Sequence, residues 1–180
     1  MLLPVELMVR AAREEDLPFL REIERVSGQR YREFGLDSVA DDEPATVEVL
    51  RGYSDEGRAW VAAQGDDCPV GYILVDPVDG AAHIEQVSVL PAHQGHGVGR
   101  ALIERAVRWA VAQGMNALTL TTFSHIPWNR PLYEHLGFRV VPEQHWGPGL
   151  RAVRDHEAQR GLDSALRVVM RRELRATARP

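Results

Sequence analysis

The chain has 180 residues, 44% of them hydrophobic and 26% charged, with a formal net charge of -5. These values fit one soluble domain over residues 1–180 and exclude a disordered or membrane-spanning chain. The acidic balance weighs against nucleic acid and leaves room for a cationic small molecule, while the lone Cys68 rules out an intrachain disulfide and fits a reducing cytoplasm.

The leading stretch MLLPVELMV is apolar. It lacks a basic lead and a small-residue cleavage site, and is too short to cross a bilayer. Glu6 to Arg10 reads as a first strand. Asp16 can cap a helix with Pro18 in its first turn, running to about Phe34, with Leu17, Leu20 and Ile23 on one side. GLDSVADDEP reads as an acidic loop, and a second helix covers about Ala45 to Glu56. Strands follow at RAWVAA and VGYILV, joined by the turn-rich QGDDCP, which places Cys68 in a hairpin loop.

HIEQVSVL, from His83 to Leu90, is the next strand. Its apolar residues change parity between Ile84 and Val87, which a two-residue period allows only with a β-bulge near Glu85 and Gln86. A bulge splays this strand from its neighbour and frees backbone amides. Gly97 to Gln113 is helical with Gly114 as its stop, and ALTLTT is a strand. Asn129 to Leu136 forms a short helix ended by Gly137, after which FRVV resumes strand. A helix from Leu150 to Gln159 and a strand at ALRVVMRREL complete the chain. Strands and helices in this order give an α/β (α+β) fold. It has a mixed, mostly antiparallel central sheet of about seven strands, a splayed central pair and flanking helices.

The stretch VLPAHQGHGVGR carries the chemistry. Strand, glycine-rich turn and helix make an anion site, because first-turn amides lack helical partners and the peptide dipoles add partial positive charge. A nucleotide P-loop needs Gly-Lys-Ser/Thr, whereas Gly99 is followed by Arg100 and Ala101. A dinucleotide fingerprint needs a third glycine where Arg100 stands. The remaining pattern, Q/R-x-x-G-x-G/A, is met by Gln94, Gly97 and Gly99.

With that pattern, IEQVSVLPAHQGHGVGRALIERAVRWA resembles the central strand, loop and helix of the GNAT superfamily of acyl-CoA-dependent N-acetyltransferases. WNRPLYEHLGFRVV is similar to that family's second motif, and the order of elements from Leu7 to Val141 also fits. The resemblance implies acetyl-CoA as cosubstrate. It places the pyrophosphate on Gln94, Gly95, His96, Gly97, Val98, Gly99 and Arg100, and the pantetheine arm on the backbone of Val87 and Val89 and on Asn129. His96 is expected to face solvent and contribute its amide. Arg100 either bonds a phosphate or sits on the exposed helix face.

Acetyl transfer to an amine requires loss of an amine proton, a polarised thioester and a proton for the departing thiolate. The resemblance puts the general base at Glu85, whose alternative is a surface carboxylate paired with His83. It puts the acid at Tyr133, whose alternative is helix packing together with Leu132. Pro131 departs from the family's commoner small residue, and the first turn tolerates it. The scattered histidines form no metal-ligand pattern, so no metal is expected.

The family's acceptor sites draw on the first two helices and on the segment between the last strands. The acidic run Asp37, Asp41, Asp42 and Glu43 therefore either steers a small cationic amine or is a solvated loop. The segment from Pro142 to Leu162, with His145 and Trp146, is either a lid over the cleft or the contact of a homodimer. A protein or peptide N-acetyltransferase and a noncatalytic acyl-CoA-binding module are the alternatives. The presence of both Glu85 and Tyr133 speaks against the latter.

Overall fold

The computed structural model of the chain describes residues 7–162 and 166–174. Their strands are β1 (Met8–Ala11), β2 (Ala59–Gln64), β3 (Cys68–Val78), β4 (Ala81–Val89), β5 (Ala117–Phe123), β6 (Arg139–Val140) and β7 (Arg167–Glu173). The helices are α1 (Leu17–Gly28), α2 (Asp37–Ala40), α3 (Val47–Asp55), α4 (Val98–Ala112), α5 (Arg130–His135) and α6 (Pro148–Gln159). The strands hydrogen-bond in the order β1-β2-β3-β4-β5-β7-β6. Of the described registers, only β4 with β5 is parallel. This is the mixed, mostly antiparallel seven-stranded sheet with flanking helices that the sequence predicts. Among the described residues, no helix is long and apolar enough to cross a membrane.

By contact density the chain divides into two compact units, Met1–Val75 with Glu85–Arg105 and Asp76–Ile84 with Ala106–Pro180. In the first, Leu17, Leu20 and Ile23 of α1 pack with Leu50 of α3 against Val61, Tyr72 and Leu74 of the strands. Leu17 and Leu20 are fully buried, and each such leucine contributes roughly 2 kcal/mol. The three-to-four residue spacing read from the sequence thus marks the face of α1 that meets the sheet.

Several local expectations are corrected. The Asp16 side chain does not cap α1; its carboxylate accepts from the Arg13 amide at 2.7 Å and pairs with Arg10 at 2.6 Å. The α-helix ends at Gly28 and continues as a 3-10 stretch, Gln29–Phe34. The acidic loop contains the single turn of α2. The next helix begins at Val47, because the Thr46 hydroxyl accepts from the Val49 amide and fixes its start there. Cys68 opens β3 instead of lying in the preceding turn. Helix α6 starts at Pro148, two residues early. Glu6 and Ala165, expected at strand ends, lie outside the described residues.

In the second unit, Leu118 and Leu120 of β5, Ile126, Phe138 and Met170 of β7 are buried. Helix α6 is fastened at two places. At its start the Asp79 carboxylate, between β3 and β4, accepts from the amides of Gly149 and Leu150, each at 2.9 Å. Further on, Glu157 bonds Arg154, Thr121 and Arg167, the last at 3.0 Å. Burial opposes ionisation of Glu157, yet Arg167, Thr121 and Arg154 outweigh it and hold the carboxyl below its ordinary value.

His83 is buried, and its Nδ1 lies 2.9 Å from Thr119 Oγ1. Burial lowers its pKa to about 4, with Arg167 acting in the same direction and Glu157 and Asp76 opposing. A histidine held neutral in the fold takes up its proton on unfolding, near its ordinary value of 6.5. Its contribution is therefore complete above that value and is lost as pH falls from about 6.5 to about 4. The full loss is roughly 3 kcal/mol. In His83→Gln, unfolding free energy measured across this window should fall less steeply with acidification than in the wild type. An unchanged slope would show that His83 does not carry the effect.

Candidate active site

Strand β4 pairs with β5 through Ala82↔Leu118, His83↔Thr119 and Ile84↔Leu120. The register runs to Ile84, one residue ahead of the irregularity inferred at Glu85 and Gln86. Glu85 is exposed, while Val87 and Val89 are half-buried. The pairing of Glu85 with His83, the alternative read from sequence, is disfavoured, since burial holds His83 neutral and its ring bonds Thr119.

A polar chain runs through the first unit. Gln86 donates from Nε2 to Ser88 Oγ at 2.8 Å, Ser88 hydrogen-bonds the Tyr72 phenol, and Tyr72 donates to Glu24 of α1 at 2.5 Å. Burial, reinforced by the Glu24 carboxylate, pushes the Tyr72 phenol well above its ordinary value, so it acts only as a neutral donor. Neither Tyr72 nor Glu24 stands in a motif, and sequence reading missed both.

After β4 comes a 3-10 turn, Pro91–His93, and then the glycine turn. Gly95 and Gly97 take positive φ, 77° and 81°. Residues with a Cβ rarely adopt this conformation, so these two glycines shape the turn. His96 is exposed, as expected, and Arg100 lies on the exposed face of α4. The Ala101 amide donates to the Gly97 carbonyl at 2.9 Å, so the amides of Val98, Gly99 and Arg100 precede the first helical bond.

The Gln94 side chain organises the turn. It donates from Nε2 to the Val89 carbonyl at 2.9 Å and accepts from Arg30 Nη1 at Oε1. Arg30 belongs to the 3-10 stretch after α1, and no sequence pattern points to it. Gly71 is a second residue that sequence reading passed over. A Cβ there would sit 2.9 Å from the Ser88 carbonyl oxygen and 3.3 Å from Val98 Cγ1. Only glycine lets β3 come this close to the end of β4 and the start of α4, and its place inside VGYILV is the signal.

Asn129 and Tyr133 belong to the second unit. Asn129 is buried and precedes α5, and its carbonyl accepts from the Tyr133 amide at 3.1 Å. Tyr133 is half-buried with its ring edge-on to Phe138, the centroids 5.8 Å apart. Packing is therefore part of its role whatever its hydroxyl does. Pro131 sits in the first turn of α5, where its missing N–H leaves no helical bond unmade.

Three carboxylates of the acidic run have arginine partners. Asp37 and Asp41 pair with Arg32, and Glu43 lies within ion-pair distance of Arg21 and Arg25. Exposed pairs of this kind are screened by salt. Among the described residues, no group of three or more His, Cys, Asp or Glu could hold a metal ion.

The sequence is 30% identical over 128 residues to an uncharacterized N-acetyltransferase, YjgM, of Escherichia coli strain K12, covering 66% of this chain and 75% of that one. The fold matches the PaiA N-acetyltransferase of Thermoplasma acidophilum in complex with coenzyme A. The TM-score is 0.71 at 16% identity, over 93% of this chain and 99% of that one. It also matches the ribosomal-protein-S18-alanine N-acetyltransferase of Escherichia coli, with a TM-score of 0.64 at 17% identity over 94% of each chain. A sequence model of the acetyltransferase (GNAT) family matches residues 19–138, which hold both the glycine turn and the LYEHLGF motif, and the chain belongs to that family.

Proposed function

We propose that this protein transfers the acetyl group of acetyl-CoA to the primary amine of a small molecule, by direct attack within a ternary complex. The observation that carries this reading is the turn of Gly95 and Gly97 ahead of α4. Its left-handed glycines and first-turn amides suit the pyrophosphate of coenzyme A. The backbone of Val87 and Val89 and the side chain of Asn129 hold the pantetheine arm. Acetyl-CoA supplies an activated acyl group, so no protein nucleophile is needed. Glu85 takes a proton from the attacking amine, directly or through water. The new C–N bond forms as the C–S bond breaks, and Tyr133 gives its proton to the departing sulfur.

The chain contains 21 Arg+Lys residues, every one of them arginine. Its side chains thus offer no primary amine, and thiol release reports on the added acceptor. Initial velocities should be measured with acetyl-CoA and a panel of amines, antibiotics, polyamines and peptides. Intersecting double-reciprocal lines with a compact amine are expected. Parallel lines would contradict direct attack, and a clear preference for peptides would contradict the acceptor class.

Glu85→Gln should leave acetyl-CoA affinity nearly unchanged and lower turnover about 10²-fold. Raising the pH should partly restore the rate, because more of the amine is then neutral. A wild-type rate and pH profile in this variant would leave Glu85 with no part in proton transfer.

A further inference from the structure

The hydrogen-bond chain from β4 through β3 to α1 runs in one direction only. At its far end the Glu24 carboxylate accepts from the Tyr72 hydroxyl. A phenol has one proton, so the Tyr72 oxygen meets Ser88 as an acceptor, and the Ser88 hydroxyl donates to it. The Ser88 proton is then committed, and Ser88 Oγ accepts at 2.8 Å from the amide nitrogen of Gln86. Each bond settles the next, and together they settle which way the Gln86 carboxamide faces. Its nitrogen turns toward Ser88, which leaves its oxygen, Oε1, as an acceptor. Among the described residues nothing donates to that oxygen. Tyr72 and Ser88 are buried, so water does not compete for their bonds, while Gln86 is half-buried and within reach of a ligand. Gln86 directly follows Glu85, in the part of β4 past its last described pair with β5, Ile84↔Leu120. Glu85 and the four residues of the chain all belong to the first unit.

We propose that Gln86 Oε1 accepts a hydrogen bond from the attacking amine, and that Ser88, Tyr72 and Glu24 are positioning residues that hold it in that orientation. This rests on the proposed function, in which Glu85 is the base. The amine gives one proton to Glu85 and donates a second N–H, which is not transferred, to Gln86. As the nitrogen attacks the thioester it gains positive charge, so this bond strengthens in the transition state. An alcohol, whose single O–H goes to the base, has nothing left to donate.

The test measures kcat/KM for the amine in wild type, Gln86→Met, Tyr72→Phe and the double variant. The acceptors are propylamine, as the simplest probe, and the fastest amine of the panel. Calorimetry gives coenzyme A affinity, and a melting curve reports folding. Gln86→Met keeps the length of the side chain without its oxygen, and kcat/KM should fall roughly 10-fold with coenzyme A affinity unchanged. In Tyr72→Phe the Ser88 proton has no phenol to meet and turns to Gln86 Oε1, so the carboxamide flips and offers the amine an N–H. This buried change should lower kcat/KM about as much as Gln86→Met, and the double variant should lose no more than either alone. A purely structural Tyr72 would instead add its own loss to that of Gln86→Met, which would overturn the positioning role. Gln86→Met with the wild-type kcat/KM, or with weakened coenzyme A binding, would overturn this inference alone. Wild type that acetylates no amine would overturn the proposed function with it.

Discussion

Gly97→Glu is expected to abolish measurable coenzyme A binding while the protein remains folded. The φ of 81° at this position strains any residue with a Cβ, by about 1 kcal/mol. A Cβ here meets nothing within 4 Å, so no clash adds to that strain. The carboxylate would instead stand among the amides meant for phosphate, where an uncompensated like charge should weaken binding by roughly 10³-fold. Gly97→Ala separates the two effects, since it carries the backbone strain without the charge and should lose far less affinity. Calorimetry on both variants, with a melting curve for each, checks the argument. Unchanged affinity in Gly97→Glu would remove the pyrophosphate from this turn.

Tyr133→Phe is the second large effect. The edge-on contact with Phe138 needs only the ring, so the melting temperature should stay close to that of the wild type. Loss of the hydroxyl should lower turnover about 10²-fold with acetyl-CoA affinity nearly intact. A collapsed melting temperature would instead assign Tyr133 to packing. A folded variant with the wild-type rate would leave the departing thiolate to take its proton from elsewhere.

Features written in short spacings were legible from the sequence. Leu17, Leu20 and Ile23 announce a buried face through helical period. Gln94, Gly97 and Gly99 announce the turn, and Gly137 ends the fifth helix because a left-handed residue must stand there. The misses share a different origin. Asp16 looks like a helix cap, but its carboxylate pairs with Arg10 and accepts from the Arg13 amide. The Tyr72–Glu24 bond spans 48 residues, and the Asp79 bonds to the start of α6 span 70 and 71. Such contacts are fixed by how strands and helices come together, and local propensity carries no record of them. The acidic run shows the same limit, since its net charge was readable while its ion pairs with Arg21, Arg25 and Arg32 were not.

The most direct measurement is mass spectrometry of the products when purified protein is incubated with acetyl-CoA and a compact primary amine. Free coenzyme A and the amine bearing one added acetyl group are expected in equal amounts, with Glu85→Gln and Tyr133→Phe both slow. Tight coenzyme A binding with no acetylated product from any amine or peptide in the panel would contradict it and leave a binding module in its place.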